Sequence, residues 1–180
     1  MSGAPDSGFG SDPAAPGMVV SSFGSQTAEL NDMALEKDGH IVAVGFIQNP
    51  ATNSKDFLVA RFSNDGTPDT AFNGQGYTIM DFGKDDVATS VVVLDDNRAV
   101  VGGSSTDAAS GLGDFALCRI LPAGQIDTTF GTGGLVTTDF SGGNDTLSAM
   151  FLQTDGKIVA AGINEVKGQP TQVVLARYLP

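Results

Sequence analysis

Three short phrases, Asp6-Ser-Gly-Phe9, Asp69-Thr-Ala-Phe72 and Asp127-Thr-Thr-Phe130, recur along the chain at intervals of 63 residues (69 minus 6) and 58 residues (127 minus 69). Three arginines keep the same beat: Arg61, Arg119 and Arg177 stand 58 apart (119 minus 61; 177 minus 119). A fixed period of this length means that each repeat is one supersecondary unit, unable to bury its apolar face alone and obliged to stack on its neighbours. The chain therefore reads as one repeat domain over residues 1–180, with repeats at 6–68, 69–126 and 127–180.

Each repeat reads as four strands. The first is short and ends in Phe: "MVVSSF" to Phe23, "YTIMDF" to Phe82 and "LVTTDF" to Phe140. The second and third form a hairpin, "MALEKDGHIVAVG", "VVVLDDNRAVVGG" and "MFLQTDGKIVAAG". Its tight turn demands positive φ, which Gly adopts freely and Asn tolerates, so Gly39, Asn97 and Gly156 are interchangeable there. The fourth is "DFLVARF", "DFALCRI" or "QVVLARY", followed in the first two repeats by a turn at Asp65-Gly66 or Ala123-Gly124. The 24 glycines, the 11 phenylalanines and the absence of tryptophan suit short strands and tight turns. The expected fold is all-β, a β-propeller with three four-stranded antiparallel blades per chain.

A period of 58 exceeds that of WD40 repeats, about 40–45 residues, and of kelch repeats, about 50, and neither signature is present. Residues 127–162, "DTTFGTGGLVTTDFSGGNDTLSAMFLQTDGKIVAAG", resemble the delta-60 repeat of large bacterial cell-surface and secreted proteins. The resemblance extends over essentially the whole chain and is weakest at "GSDPAAPG", residues 10–17. Ser22 also departs from the Asp that Asp81 and Asp139 keep. The resemblance implies a propeller fold and an extracellular or cell-surface setting, and brings little biochemistry with it.

Propellers close with about four to eight blades, so three leave two apolar blade faces in need of a cover. A second copy placed after Pro180 brings its Asp6 almost into phase with the internal spacing from Pro122 to Asp127. The expectation is a head-to-tail homodimer closing a six-bladed ring by a two-fold rotation, with Arg177 meeting Asp6 of the other copy. The alternative is a monomeric excerpt of a longer array.

Charge narrows the partners. Nine Lys and Arg against 21 Asp and Glu give a formal charge of −12, which repels phosphate backbones and anionic membranes. Nucleic acid is not expected as a partner. No apolar run reaches the roughly 20 residues of a membrane span, and the N-terminus lacks the order of a signal peptide. The single cysteine excludes an internal disulfide framework.

Candidate chemistry is sparse. His40, the only histidine, sits in a hairpin turn where its sisters are Arg98 and Lys157, and reads as a solvated turn side chain. No G-x-S-x-G elbow accompanies it, "GGSST" at 102–106 lacking the second glycine. Cys118 replaces Ala60 and Ala176 in the fourth strand, the place of a small packed residue. Arg61, Arg119 and Arg177 either line an anion-binding channel or, the stronger reading, pair with Asp69, Asp127, Asp81 or Asp139 to hold blade edges. The acidic pairs Asp85-Asp86 and Asn144-Asp145 have Thr27 and Ala28 as their first-repeat equivalents and no calcium-loop motif, so a repeated metal site is not expected. No cofactor is expected either.

The most divergent stretches are "FIQNPATNSK" from Phe46, "SSTDAASGLG" from Ser104 and "INEVKGQPT" from Ile163. They should emerge with the first-to-second strand loops on one face, where variable loops on a rigid scaffold carry recognition. The expected function is a non-catalytic binding or surface-display module recognising a protein or a glycan. Tyr77 and Tyr178 are the only tyrosines, which disfavours the glycan version. The alternative is an esterase- or lactonase-type hydrolase in the central channel, built from Ser, Asp or Asn of several blades.

Overall fold

The computed structural model describes residues 3–83, 85–107 and 109–180. Met1, whose standing as a natural start the sequence leaves open, and Ala108 of the second variable loop lie outside the described residues. The described chain forms strands β1 (Ala28–Leu35), β2 (Ile41–Gln48), β3 (Lys55–Phe62), β4 (Tyr77–Met80), β5 (Asp86–Val93), β6 (Ala99–Thr106), β7 (Gly113–Ile120), β8 (Leu135–Thr138), β9 (Asn144–Leu152), β10 (Ile158–Glu165) and β11 (Gln172–Tyr178).

All pairings are antiparallel, and they group into sheets β1-β2-β3-β4, β5-β6-β7-β8 and β9-β10-β11. The expected hairpin turns are present, with Gly39, Asn97 and Gly156 at φ of 93°, 62° and 83°. Two features differ from the sequence reading. The short first strand of a repeat does not open its own sheet: Tyr77–Met80 pairs with β3 and Leu135–Thr138 with β7, each closing the preceding sheet. The chain has just turned through Asp-x-x-Phe at the end of that sheet's third strand, so the nearest unpaired edge is the one behind it. The third sheet consequently has three strands rather than four, and "MVVSSF", residues 18–23, is in no strand.

Successive sheets stack face to face. One apolar cluster joins the first two, with Val42, Val44, Phe57 and Val59 against Ala88, Val91, Val101 and Cys118. A second joins the next two, with Val92, Val100 and Leu117 against Leu147, Met150, Ile158 and Ala160. Strands β1, β5 and β9 approach one another and so lie innermost, while β4 and β8 are outer edges. Each inner strand carries a bulge, at Asn31, Thr89 and Ser148, opposite a glycine. An added Cβ at Gly45, Gly103 or Gly162 would sit on the carbonyl oxygen of Glu29, Val87 or Thr146.

Candidate functional site

Polar residues concentrate at the two ends of the sheets. At one end, where β3 and β7 finish, Asp-x-x-Phe folds back under the strand. Asp69 and Asp127 donate their backbone N–H to the carbonyls of Arg61 and Arg119, at 3.0 and 2.8 Å. The side chains then interlock. Arg61 Nε donates to Asp69 Oδ2 at 2.8 Å and Arg119 Nε to Asp127 Oδ2 at 2.8 Å. Each guanidinium also covers the Phe of the motif, 4.8 Å from the Phe72 centroid and 5.0 Å from that of Phe130. Of the expected partners, Asp69 and Asp127 are thus the ones used. Thr129 first, then Arg119, holds the Asp127 carboxyl well below the usual range against the opposing effect of burial.

A second basic side chain stands beside each carboxylate. Arg98 bridges Asp96 at 2.7 Å and Asp127 at 3.5 Å. His40 takes the same place one repeat earlier, 2.9 Å from Asp38 and 3.7 Å from Asp69. It is therefore partly enclosed between carboxylates rather than a free turn side chain, because the Asp-x-x-Phe turn brings Asp69 under it. Glu36 is buried beside it, 3.6 Å from Arg61 Nη1, and burial raises its carboxyl despite that guanidinium. In the third repeat Lys157 keeps its turn partner Asp155. Arg177 is exposed and makes no ion pair with a described residue.

Cys118 is fully buried in the first cluster, and burial pushes its thiol up to about 12, which makes it a packing residue and not a nucleophile. The inner strands carry hydroxyl, amide and carboxylate groups, and the bulges aim them at the next sheet. Asn31 Nδ2 donates to Ala88 O and Thr89 Oγ1 to Leu147 O, at 2.9 and 2.8 Å. Asp32 Oδ2 accepts from Val91 N and Ser90 Oγ from Met150 N, at 2.9 and 3.0 Å.

At the other end of the sheets the β2–β3 and β4–β5 loops meet, as expected from sequence. Lys55 N donates to Asp85 Oδ1 at 3.1 Å, and Gly113 N to Asn144 Oδ1 at 2.9 Å one repeat later. Beneath these loops the structure assembles two sets of three carboxylates, Asp56, Asp81, Asp86 and Asp114, Asp139, Asp145, each set offering oxygens within 4.8 Å of one another. Sequence reasoning had only the adjacent pairs Asp85-Asp86 and Asn144-Asp145, where it expected no repeated metal site. The other two members come from the end of the preceding sheet, and the recurrence of Asp56 with Asp114, and of Asp81 with Asp139, was the signal available. Asp86 and Asp145 are wholly buried, and burial first, then nearby carboxylates, raises both above the usual range. Burial and the neighbouring acids raise Asp56 and Asp114 too.

Three stacked antiparallel sheets with β1, β5 and β9 side by side at their inner edges, each lashed to the next by bulge residues, form an all-β repeat stack of the kind found in β-propellers. In agreement, residues 36–72 and 94–130 match the family model described as a domain of unknown function (DUF5122) beta-propeller. The two matched stretches stand 58 apart (94 minus 36) and each ends on the Phe of Asp-x-x-Phe, so they fall at the same phase of this chain's repeat. The match supports a β-propeller repeat family. No curated protein matches the chain.

Proposed function

We propose that this chain is a non-catalytic binding module of delta-60 type, acting at a cell surface or outside the cell, in which two copies close head to tail into a six-bladed ring. The ring presents its variable loops, 49–54, 107–112 and 166–171, on one face to a protein ligand.

The observation that carries the ring is the pair Lys157 and Arg177. Their counterparts Arg98 and Arg119 converge on Asp127, whereas the third-repeat pair has only the turn carboxylate Asp155, ion-paired with Lys157 and felt by Arg177 without an ion pair, and no described carboxylate in the place of Asp127. Asp6 of a second copy has the right chemistry. Its turn is already formed, with Phe9 N donating to Asp6 O at 2.9 Å, and Gly10 N bonds Asp65 O just as Asn73 N bonds Ala123 O. The uncovered surfaces agree. Phe151, Val173 and Leu175 of the third sheet and Leu30 and Met33 of the first are exposed, although their counterparts, Val92, Phe115 and Leu117, and Ala88 and Val91, are buried between sheets. Residues 18–23 correspond to β4 and β8, and the third sheet is one strand short. An apolar cleft of about 680 Å³ beside Met33, Ile41 and Phe62 lies on the same uncovered face.

The hydrolase alternative is not favoured, because Asn31, Asp32, Thr89 and Ser90 on the inner strands are committed to backbone groups of the next sheet. Light scattering across a dilution series tests the ring: twice 18.4 kDa is expected for the wild type and one chain mass for Phe151→Asp. A wild-type chain at single mass would overturn it. A panel of chromogenic esters and lactones should give no turnover above buffer, and turnover would overturn the non-catalytic reading.

A further inference from the structure

The two carboxylate clusters are duplicated in position as well as in composition. Each joins two successive sheets: Asp56 is the second residue of β3 and Asp81 follows β4, while Asp86 starts β5 of the next sheet. Asp114, Asp139 and Asp145 repeat this between the second and third sheets. Elsewhere the chain answers such acids with arginine, histidine or lysine, but among the described residues no ion pair reaches any of these six.

One oxygen of each buried member lacks a donor. Oδ2 of Asp86 accepts from Phe82 N and Oδ2 of Asp145 from Phe140 N, both at 2.6 Å. Their Oδ1 atoms are buried with no hydrogen-bond partner. A further buried residue faces each one. Asn164 stands directly opposite Asp145 in the β9–β10 ladder, and therefore on the same side of the sheet; it is 1% exposed, and its Oδ1 is likewise unpartnered, while its Nδ2 is used by Phe140 O. Ser105 also stands opposite its partner, Asp86, but there the hydroxyl hydrogen-bonds the carboxylate, so a cation at the first cluster would meet the hydroxyl oxygen. A buried unpaired carboxylate oxygen is costly, and a second buried oxygen without a donor on the same side of the sheet adds to the cost unless a cation serves them.

We propose that the chain binds two calcium ions, one at Asp56, Asp81, Asp86 and Ser105 and one at Asp114, Asp139, Asp145 and Asn164, each clamping two successive sheets beneath the loop face. The donor set is all oxygen, as a hard cation requires. The oxygens of each cluster lie within 4.8 Å of one another, and two oxygens across one calcium ion are about 4.6–5.2 Å apart. Calcium is favoured over magnesium because a wholly buried carboxylate strips water that magnesium gives up reluctantly. At the third position of the repeat the corresponding residues are Gln172, Ser22 and Ala28, so the stoichiometry is two per chain whether or not the ring closes.

The test is isothermal titration of the chelator-treated full chain with calcium chloride at physiological salt, together with its melting temperature. Two calcium ions per chain and a raised melting temperature are expected. Asp139→Asn, at an exposed position, should weaken its own site at least tenfold and leave one; Asp81→Asn with Asp139→Asn should leave none, with an unchanged circular dichroism spectrum. If Asp145→Asn fails to fold, these exposed variants still decide the matter. No uptake at millimolar calcium would overturn the proposal, as it would mean that the clusters hold protons instead. Uptake unchanged in the double variant would also overturn it, pointing to diffuse attraction by the acidic surface. Equal affinity for magnesium would overturn the calcium assignment.

Discussion

Arg119 shows how one residue carries several duties: it is 5% exposed, bonds Asp127 and Thr129, and covers Phe130. Removing one partner strands the other charge in a water-poor site. Arg119→Ala should therefore cost about 3–5 kcal/mol in urea denaturation, the range for a broken buried pair. Arg119→Lys should recover only part of this, since an ammonium cannot match the fork that serves Asp127 and Thr129 together. The pH dependence has a definite sign. Thr129 and Arg119 depress the Asp127 carboxyl, so its contribution is complete above the unfolded carboxylate value of about 4 and is lost as pH falls toward the depressed folded value. The pairing was legible in sequence because Arg and Asp-x-x-Phe repeat together. The enclosure of His40 was not, because nothing in a turn sequence tells that a carboxylate from the far end of β3 will fold beneath it.

Among the elements, the short strands mark the boundary of what the sequence discloses. The existence of β4 and β8, the hairpins and their turn residues were legible from alternation and turn chemistry, whereas the strand expected at 18–23 is not formed. The sheet that β4 and β8 each join was not legible: alternation gives a strand's faces and says nothing of which neighbour's edge it will take. The bulge glycines were hidden for a related reason, since Gly45, Gly103 and Gly162 end a hairpin phrase and look like strand termini. They are close-approach positions. Gly103→Ala would put a methyl on the Val87 carbonyl oxygen and force the β5–β6 pair apart, with an expected loss of about 1–3 kcal/mol, the range for overpacking, measured by thermal or urea unfolding. Gly142→Ala is a control for positive φ alone, as it meets nothing within 4 Å.

For the whole molecule, the carboxylate clusters set how stability responds to pH. Asp56, Asp86, Asp114 and Asp145 are raised, burial being the first cause in each, so their repulsion is relieved by protonation. Groups of this sign favour the folded state most below the unfolded value of about 4, and the benefit fades as pH rises through the raised folded values. Asp69 and Asp127, which are lowered, act in the opposite direction at the acid end. Metal-free protein should thus be more stable at mildly acidic than at neutral pH, with the maximum set where the two groups balance; a melting temperature rising steadily from acid to neutral pH without calcium would contradict this. The stacking of three units was legible from the period, as was the loop face from the divergence of its loops. The clusters were not, since each draws on two sheets and only folding brings Asp56 and Asp81 to Asp86.

The offset of one strand between repeat and sheet also orders the events of synthesis. As the chain leaves the ribosome, β1, β2 and β3 emerge and can pair, but the edge of β3 stays bare until the first residues of the next repeat have been made. Every completed sheet is therefore sealed by its successor, and the growing protein always carries one unsealed edge at its newest end, a moving point of vulnerability to mispairing with another nascent chain.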